Sequence, residues 1–232
     1  MLLLPLITLA VSLVADQDRE VSPTVVGFSI EQDRWVEWSQ SSFATNAFDN
    51  LRQRTGHSPH IRIGANSEDR TIYDSSVQVQ SIFHIFLQQF ILYVQLSIGI
   101  FPPSTAIVPY PEAVNLTVGD GFYQCVANLL PGSVVFVQYW PGLGTLYSIL
   151  TSTCVPAGTH VSWGVNFGRN NITTAVLQAQ SIIRAFSSPS ITETGIILDF
   201  LEIGNEADIY SLHGARDRST WNITEYINEF RA

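Results

Sequence analysis

Lysine is absent from the 232 residues, so all eleven basic side chains are arginine, against twenty carboxylates and a net charge of −9. A chain this acidic lacks the basic face that phosphate backbones require, which argues against nucleic acid as a partner. Cysteine is scarce too. Cys125 and Cys154 are the two present; they do not define a disulfide framework, and either pair outside the cell or stand as packed thiols. The five histidines (57, 60, 84, 160 and 213) show neither HExxH nor any metal-ligand spacing. No Gly-x-Ser-x-Gly elbow and no phosphate-cradling glycine motif occurs. No metal or cofactor is therefore expected. Charge itself is missing from two long stretches, 75–111 and 121–168.

What is present is enough for one packed domain: 46% of the residues are hydrophobic. Met1 to Ala15 is apolar, about the length of a secretory h-region, and ends in a possible cleavage site, although it has no basic n-region. It is expected to be a signal peptide, with an uncleaved anchor or a buried strand as the alternative. Three Asn-x-Thr sequons, at Asn115, Asn171 and Asn222, agree with export and glycosylation. The mature domain is then expected over 16–232, secreted.

Strand-like and helix-like runs alternate after the leader. Thr24–Ile30, His60–Gly64, His160–Val165 and Ile196–Gly204 read as strands. Between them, Phe43, Ala44, Ala47, Phe48 and Leu51 recur at helical spacing until Gly56 stops the helix. Ala175, Val176, Ala179, Ile182, Ile183 and Phe186 form a second stripe, and Asn222 to Glu225 reads as a capping box ahead of Tyr226, Ile227 and Phe230. Four alternations predict parallel βαβ units rather than a sandwich.

The charge-free stretches break this rhythm. Ile82–Phe101 is nearly all apolar and close to the length of a membrane span, yet His84, Gln88, Gln89 and Gln95 would each be costly in hydrocarbon. A buried helix is the alternative, and membrane contact is not expected. Gly132–Val155 shows neither clean periodicity nor helix stops.

One segment carries chemistry. EIGNEADIY, residues 202–210, is a strand that delivers Asn205-Glu206 to its C-terminal end. Together with GFSIEQ (27–32), IRIGANSED (61–69), GDGFYQ (119–124) and WGVNFGRNN (163–171), in that order, it resembles glycoside hydrolase family 79. That family holds β-glucuronidases and heparanase-like enzymes. The resemblance implies a (β/α)₈ barrel, of which this chain carries about four βα units, and retaining hydrolysis of β-glucuronides or uronic-acid-containing glycans. It also implies that residues near 77–100 and 132–155 are insertions, read here as translated intron sequence. A non-catalytic, secreted or membrane-anchored carbohydrate-binding fragment is the alternative function.

The resemblance assigns Glu206 as catalytic acid/base and Asn205 as the amide that binds the sugar's 2-hydroxyl. It implies a nucleophilic Glu on a later strand, and no residue here matches it; Glu31, Glu68, Asp69 and Asp74 are alternatives in principle. Glu202 lies four strand residues from Glu206, roughly 13 Å, against about 5–5.5 Å for a retaining pair, so it is expected to be an ion-pair partner inside the barrel. Asp208 is expected at the rim. Glu31 either touches substrate or pairs with an arginine. Asn66 and Asn166 either bind hydroxyls or cap loops. The family usually has Gly-Gly-Asn where this chain has Gly64-Ala65-Asn66, and the extra Cβ of Ala65 bears on the geometry of that loop.

Overall fold

The computed structural model describes residues 27–39, 41–77, 79–80, 93–126, 134–140, 145–149 and 155–231. The leader, Thr24–Val26, residues 81–92 of the apolar run and Cys154 lie outside the described residues. In chain order the first strands are β1 (Gly27–Glu31), β2 (His60–Gly64), β3 (Thr71–Tyr73), β4 (Val79–Gln80) and β5 (Tyr93–Ile100). They continue with β6 (Asn115–Val118), β7 (Val134–Trp140), β8 (Thr145–Ile149), β9 (His160–Val165) and β10 (Ile197–Ile203). The helices are α1 (Trp35–Ser39), α2 (Ser42–Thr55), α3 (Asp120–Gln124), α4 (Ile172–Phe186), α5 (Pro189–Thr192) and α6 (Ile223–Arg231).

Four strands form an all-parallel sheet in the order β1-β2-β9-β10. These are the four strands expected from the sequence, each joined to the next by a crossover, as parallel pairing requires. Alternation decides their faces. Ile61 and Ile63 of β2, with Val161, Trp163 and Val165 of β9, are buried against the helices. Arg62, Ser162 and Glu202 point to the opposite, concave face, with Ser29 hydrogen-bonded to Arg62. That face stays open as a groove of about 720 Å³, and β1 and β10 are the two edges, so the sheet is not closed.

The core centres on Trp163, which is fully buried and meets Trp35, Phe122, Tyr123 and Phe186 edge-on at ring separations of 5.3–6.0 Å. Helix α2 buries Ala44 and Phe48 and ends at Gly56, whose φ of 77° suits only a residue without a Cβ penalty. Phe43 is exposed, because the helix presents a narrower face to the core than its apolar spacing implies. Helix α4 begins at Asn171, whose Oδ1 accepts from the Thr174 N–H at 3.0 Å. Ahead of α6, Asn222 likewise accepts from the N–H groups of Thr224 and Glu225. Ile223, Ile227 and Phe230 of that helix nevertheless remain exposed.

A second, mixed sheet runs β3-β6-β5-β7-β8, with β4 on β5. For the described part of the apolar run, this corrects the expectation of a span or buried helix. Tyr93–Ile100 is a strand, hydrogen-bonded to β4, β6 and β7, and its sequence has period 2: Val94, Leu96, Ile98 and Ile100 alternate with Tyr93, Gln95, Ser97 and Gly99. Among the described residues no helix is long and apolar enough to cross a membrane. Strands β5, β7 and β8 fall within the two expected insertions and pair with one another.

Candidate active site

The loops after β2, β9 and β10 meet at the C-terminal end of the parallel sheet, the end at which βα folds assemble their sites. One carboxylate ties all three together. Oδ1 of Asp69 accepts from the N–H groups of Phe167 (3.2 Å) and Gly168 (2.9 Å) and from the hydroxyl of Tyr210 (2.6 Å). Its Oδ2 accepts from the Asn205 N–H at 3.3 Å. Tyr210 is buried, stacked on Trp221, and both rings lie against the guanidinium of Arg216, which is itself paired with Glu229 at 3.0 Å. Burial raises the Asp69 carboxyl above the usual range, and these four donors oppose that rise.

Beside this clamp lies a depression of about 260 Å³, lined by Asn66, Asp69, Arg70, Gly168, Arg169, Asn205, Glu206, Tyr210, His213 and Ala215. Glu206 is exposed, three residues past β10, and its backbone is left-handed with φ 51°. Gly204, two residues earlier, has φ 79°, and a Cβ there would lie 2.9 Å from that of Phe167. Asn205 is half-buried between them. Its Oδ1 accepts from Arg62 at 3.0 Å and its Nδ2 donates to Oδ1 of Asn66 at 3.0 Å.

Below the rim sits a charge cluster that the sequence only partly announced. Arg62 donates through Nε to Glu202 at 2.5 Å and through another nitrogen to Ser29 at 3.0 Å. Glu202 thus pairs with an arginine, on the open face of the sheet. Glu68 is fully buried 3.6 Å from Arg62, in space that Gly64 and Gly164 leave free; at Gly164 a Cβ would lie 3.0 Å from that of Glu68. Desolvation, then the charges of Glu202 and Asp69, push its pKa up to about 10. It is therefore protonated at neutral pH.

The remaining sequence candidates fall elsewhere. Glu31 does not line the depression and makes no ion pair among the described residues: its Oε2 accepts from the N–H (2.9 Å) and hydroxyl (2.5 Å) of Ser67, fixing the loop after β2. Asn166 is buried and donates to the Thr71 carbonyl while accepting from the Arg169 N–H at 3.1 Å. Those contacts match its loop-holding alternative, not a hydroxyl-binding one. Asp208 lies outside the depression. Arg62 and Tyr210 were missed, although IRIG and EADIY placed them on or just beyond strands whose ends converge; Asp69 was named as a carboxylate of the loop after β2, not as the centre of this clamp.

No protein-family profile matches the chain. A β-glucuronidase of Aspergillus niger is 22% identical over 212 aligned residues, which cover 88% of this chain and 30% of that protein. The solved structure of a 4-O-α-L-rhamnosyl-β-D-glucuronidase from Fusarium oxysporum superposes with a TM-score of 0.50 at 19% identity, over 82% of this chain and 29% of that one. The chain is a distant relative of the fungal glucuronidases. It spans under a third of the length of either relative.

Proposed function

We propose that this chain is the acid/base-bearing part of a (β/α)₈ glycoside hydrolase that cleaves β-glucuronides or uronic-acid-containing glycans with retention. The observation that carries the reading is Asn205-Glu206 leaving the C-terminal end of β10 into the rim depression beside Asn66. Glu206 would protonate the glycosidic oxygen as the leaving group departs through an oxocarbenium-like transition state. A second carboxylate, about 5–5.5 Å away, would attack the anomeric carbon to form a glycosyl ester. Glu206 would then take a proton from the water that hydrolyses that ester.

Three carboxylates near the rim do not fit the nucleophile's part, Asp69 because four donors hold it. Glu202 is committed to Arg62 beneath the rim, and Glu68 is buried and protonated. On this reading the described residues supply the acid/base and not the nucleophile, and the chain alone binds sugar without turning it over. The same reading makes it a secreted glycoprotein. Asn171 and Asn222 are exposed, and Asn171 caps α4 through its oxygen, which leaves its nitrogen free for a glycan.

The test is a purified full chain offered a chromogenic β-glucuronide and, separately, titrated with methyl β-glucuronide by NMR. Saturable binding that weakens in Asn205→Ala, with no aglycone release, is expected. Release that disappears in Glu206→Gln would overturn the missing-nucleophile account, and no binding at all would sink the glucuronide reading.

A further inference from the structure

We infer that Arg62, Asn205, Asn66 and Glu112 form a one-directional hydrogen-bond relay that presents a fixed donor and a fixed acceptor to a single sugar hydroxyl, with Arg62 and Glu112 as positioning residues. The hydroxyl's identity as a sugar's rests on the glucuronide reading above; the relay itself does not. Arg62 donates to Oδ1 of Asn205 at 3.0 Å, Nδ2 of Asn205 donates to Oδ1 of Asn66 at 3.0 Å, and Nδ2 of Asn66 donates to Oε1 of Glu112 at 3.3 Å.

The direction is forced at both ends. A guanidinium has donors only and a carboxylate has acceptors only, whereas each asparagine amide carries one of each kind. Arg62 must therefore face the oxygen of Asn205, and Glu112 must face the nitrogen of Asn66. The two amides have no other arrangement that satisfies both ends. Neither terminus is loose. Arg62 is held by Glu202 and Ser29, and Glu112 accepts through its other oxygen from Arg70 at 3.0 Å, which also donates to the Ala113 carbonyl at 3.1 Å.

The link between the two asparagines is exposed and borders the depression that Glu206 lines. A hydroxyl entering there accepts from Nδ2 of Asn205 and donates to Oδ1 of Asn66, replacing one hydrogen bond by two. A group that only donates, such as an ammonium, or only accepts, such as a carboxylate, satisfies one side and leaves the other unpaired. Polarity thus selects hydroxyls at this point of the rim.

A double-mutant cycle on the full chain decides the matter. Asn205→Asp puts oxygen on both faces, so Asn66 must turn its nitrogen to residue 205 and its oxygen to Glu112, where two acceptors meet. Glu112→Gln in the same chain supplies a donor there and rebuilds the relay with Asn66 reversed. The expected result is that the double variant unfolds at higher urea than the two single changes sum to, with a coupling of more than about twofold in the unfolding equilibrium. In parallel, wild type should bind methyl β-glucuronide several-fold more tightly than its 2-deoxy analogue, Asn205→Asp should weaken that preference because the turned Asn66 is no longer held by Glu112, and the double variant should regain it. Additive stabilities, or a preference unchanged in Asn205→Asp, overturn the relay. Failure of the wild type to bind either sugar overturns the glucuronide reading alone, because the stability cycle still decides the relay.

Discussion

The hydroxyl of Tyr210 donates to Oδ1 of Asp69 at 2.6 Å, a bond between residues 141 positions apart that joins the loop after β2 to the loop after β10. It is one of four donors on a carboxylate that burial disfavours, and it is the only side chain among the four. Tyr210→Phe keeps the ring on Trp221 and removes only the donor. The expected cost is about 1.5–3 kcal/mol, the usual range for a hydrogen bond to a charged group. Urea unfolding at pH 7 checks it, through a lower midpoint at an unchanged slope.

Much of the parallel sheet was legible because its signals are local. HIRIG and HVSWGV carry their own alternation, Gly56 and Asn222 announce helix ends within a turn of where they act, and EIGNE marks its own strand end. The mixed sheet was not legible. A charge-free apolar run serves a helix or a strand equally well until its partners are known, and the partners of β5 lie on β4, β6 and β7. The site divides the same way. Asn205, Glu206 and Asn66 were readable from motifs, whereas the Asp69 clamp and the Arg62–Asn205 contact join residues 98 to 143 positions apart. Glu31 and Asn166 were placed on the right strand ends, but nothing in their own sequence said that each would be taken up in holding its neighbouring loop.

Ala65 sits where the chain turns out of β2 toward Asn66, with φ 63°. A left-handed conformation costs a non-glycine residue roughly 1–2 kcal/mol, and the extra freedom of an unfolded glycine returns part of that when the residue is changed. Ala65→Gly should therefore stabilise the chain by about 0.5–1 kcal/mol, read as a rise in Tm. Gly204→Ala is the converse case. Its φ of 79° and the contact with Phe167 act together, and a loss of more than about 2 kcal/mol is expected from the same melting experiment. Equal shifts at the two sites would mean that the rim loops relax around a Cβ more freely than this geometry implies.

Trp163 is the residue on which sheet and helices converge, with four aromatic rings edge-on around it. Trp163→Phe leaves a partial cavity and should cost about 1–3 kcal/mol with the fold intact. Trp163→Ala should cost about 3–5 kcal/mol, enough to unfold a marginally stable domain. Near-UV circular dichroism distinguishes the two, since the aromatic cluster's signal should survive the first change and vanish with the second.

Glu68 supplies the chain's clearest pH dependence. Its pKa stands at about 10 in the fold against 4.5 for an ordinary glutamate, raised first by burial and then by Glu202 and Asp69, with Arg62 opposing. Across that window the folded chain holds a proton that the unfolded chain has released. Stability from this group is therefore full below about pH 4.5 and falls as pH rises, by about 1.4 kcal/mol per unit for one proton, until the folded group itself ionises. Glu68→Gln is nearly isosteric and cannot ionise, so it should match wild type near pH 4 and exceed it increasingly from pH 5 to 8. Unfolding free energies of both chains across that range give the difference directly, cancelling every other titrating group. A difference that stays flat with pH would mean that Glu68 folds as a carboxylate, with Arg62 as its true counter-ion. In that case Arg62 would be divided between two charges, and its hold on Asn205 would loosen when Glu68 is neutralised, which the side-chain amide resonance of Asn205 would report.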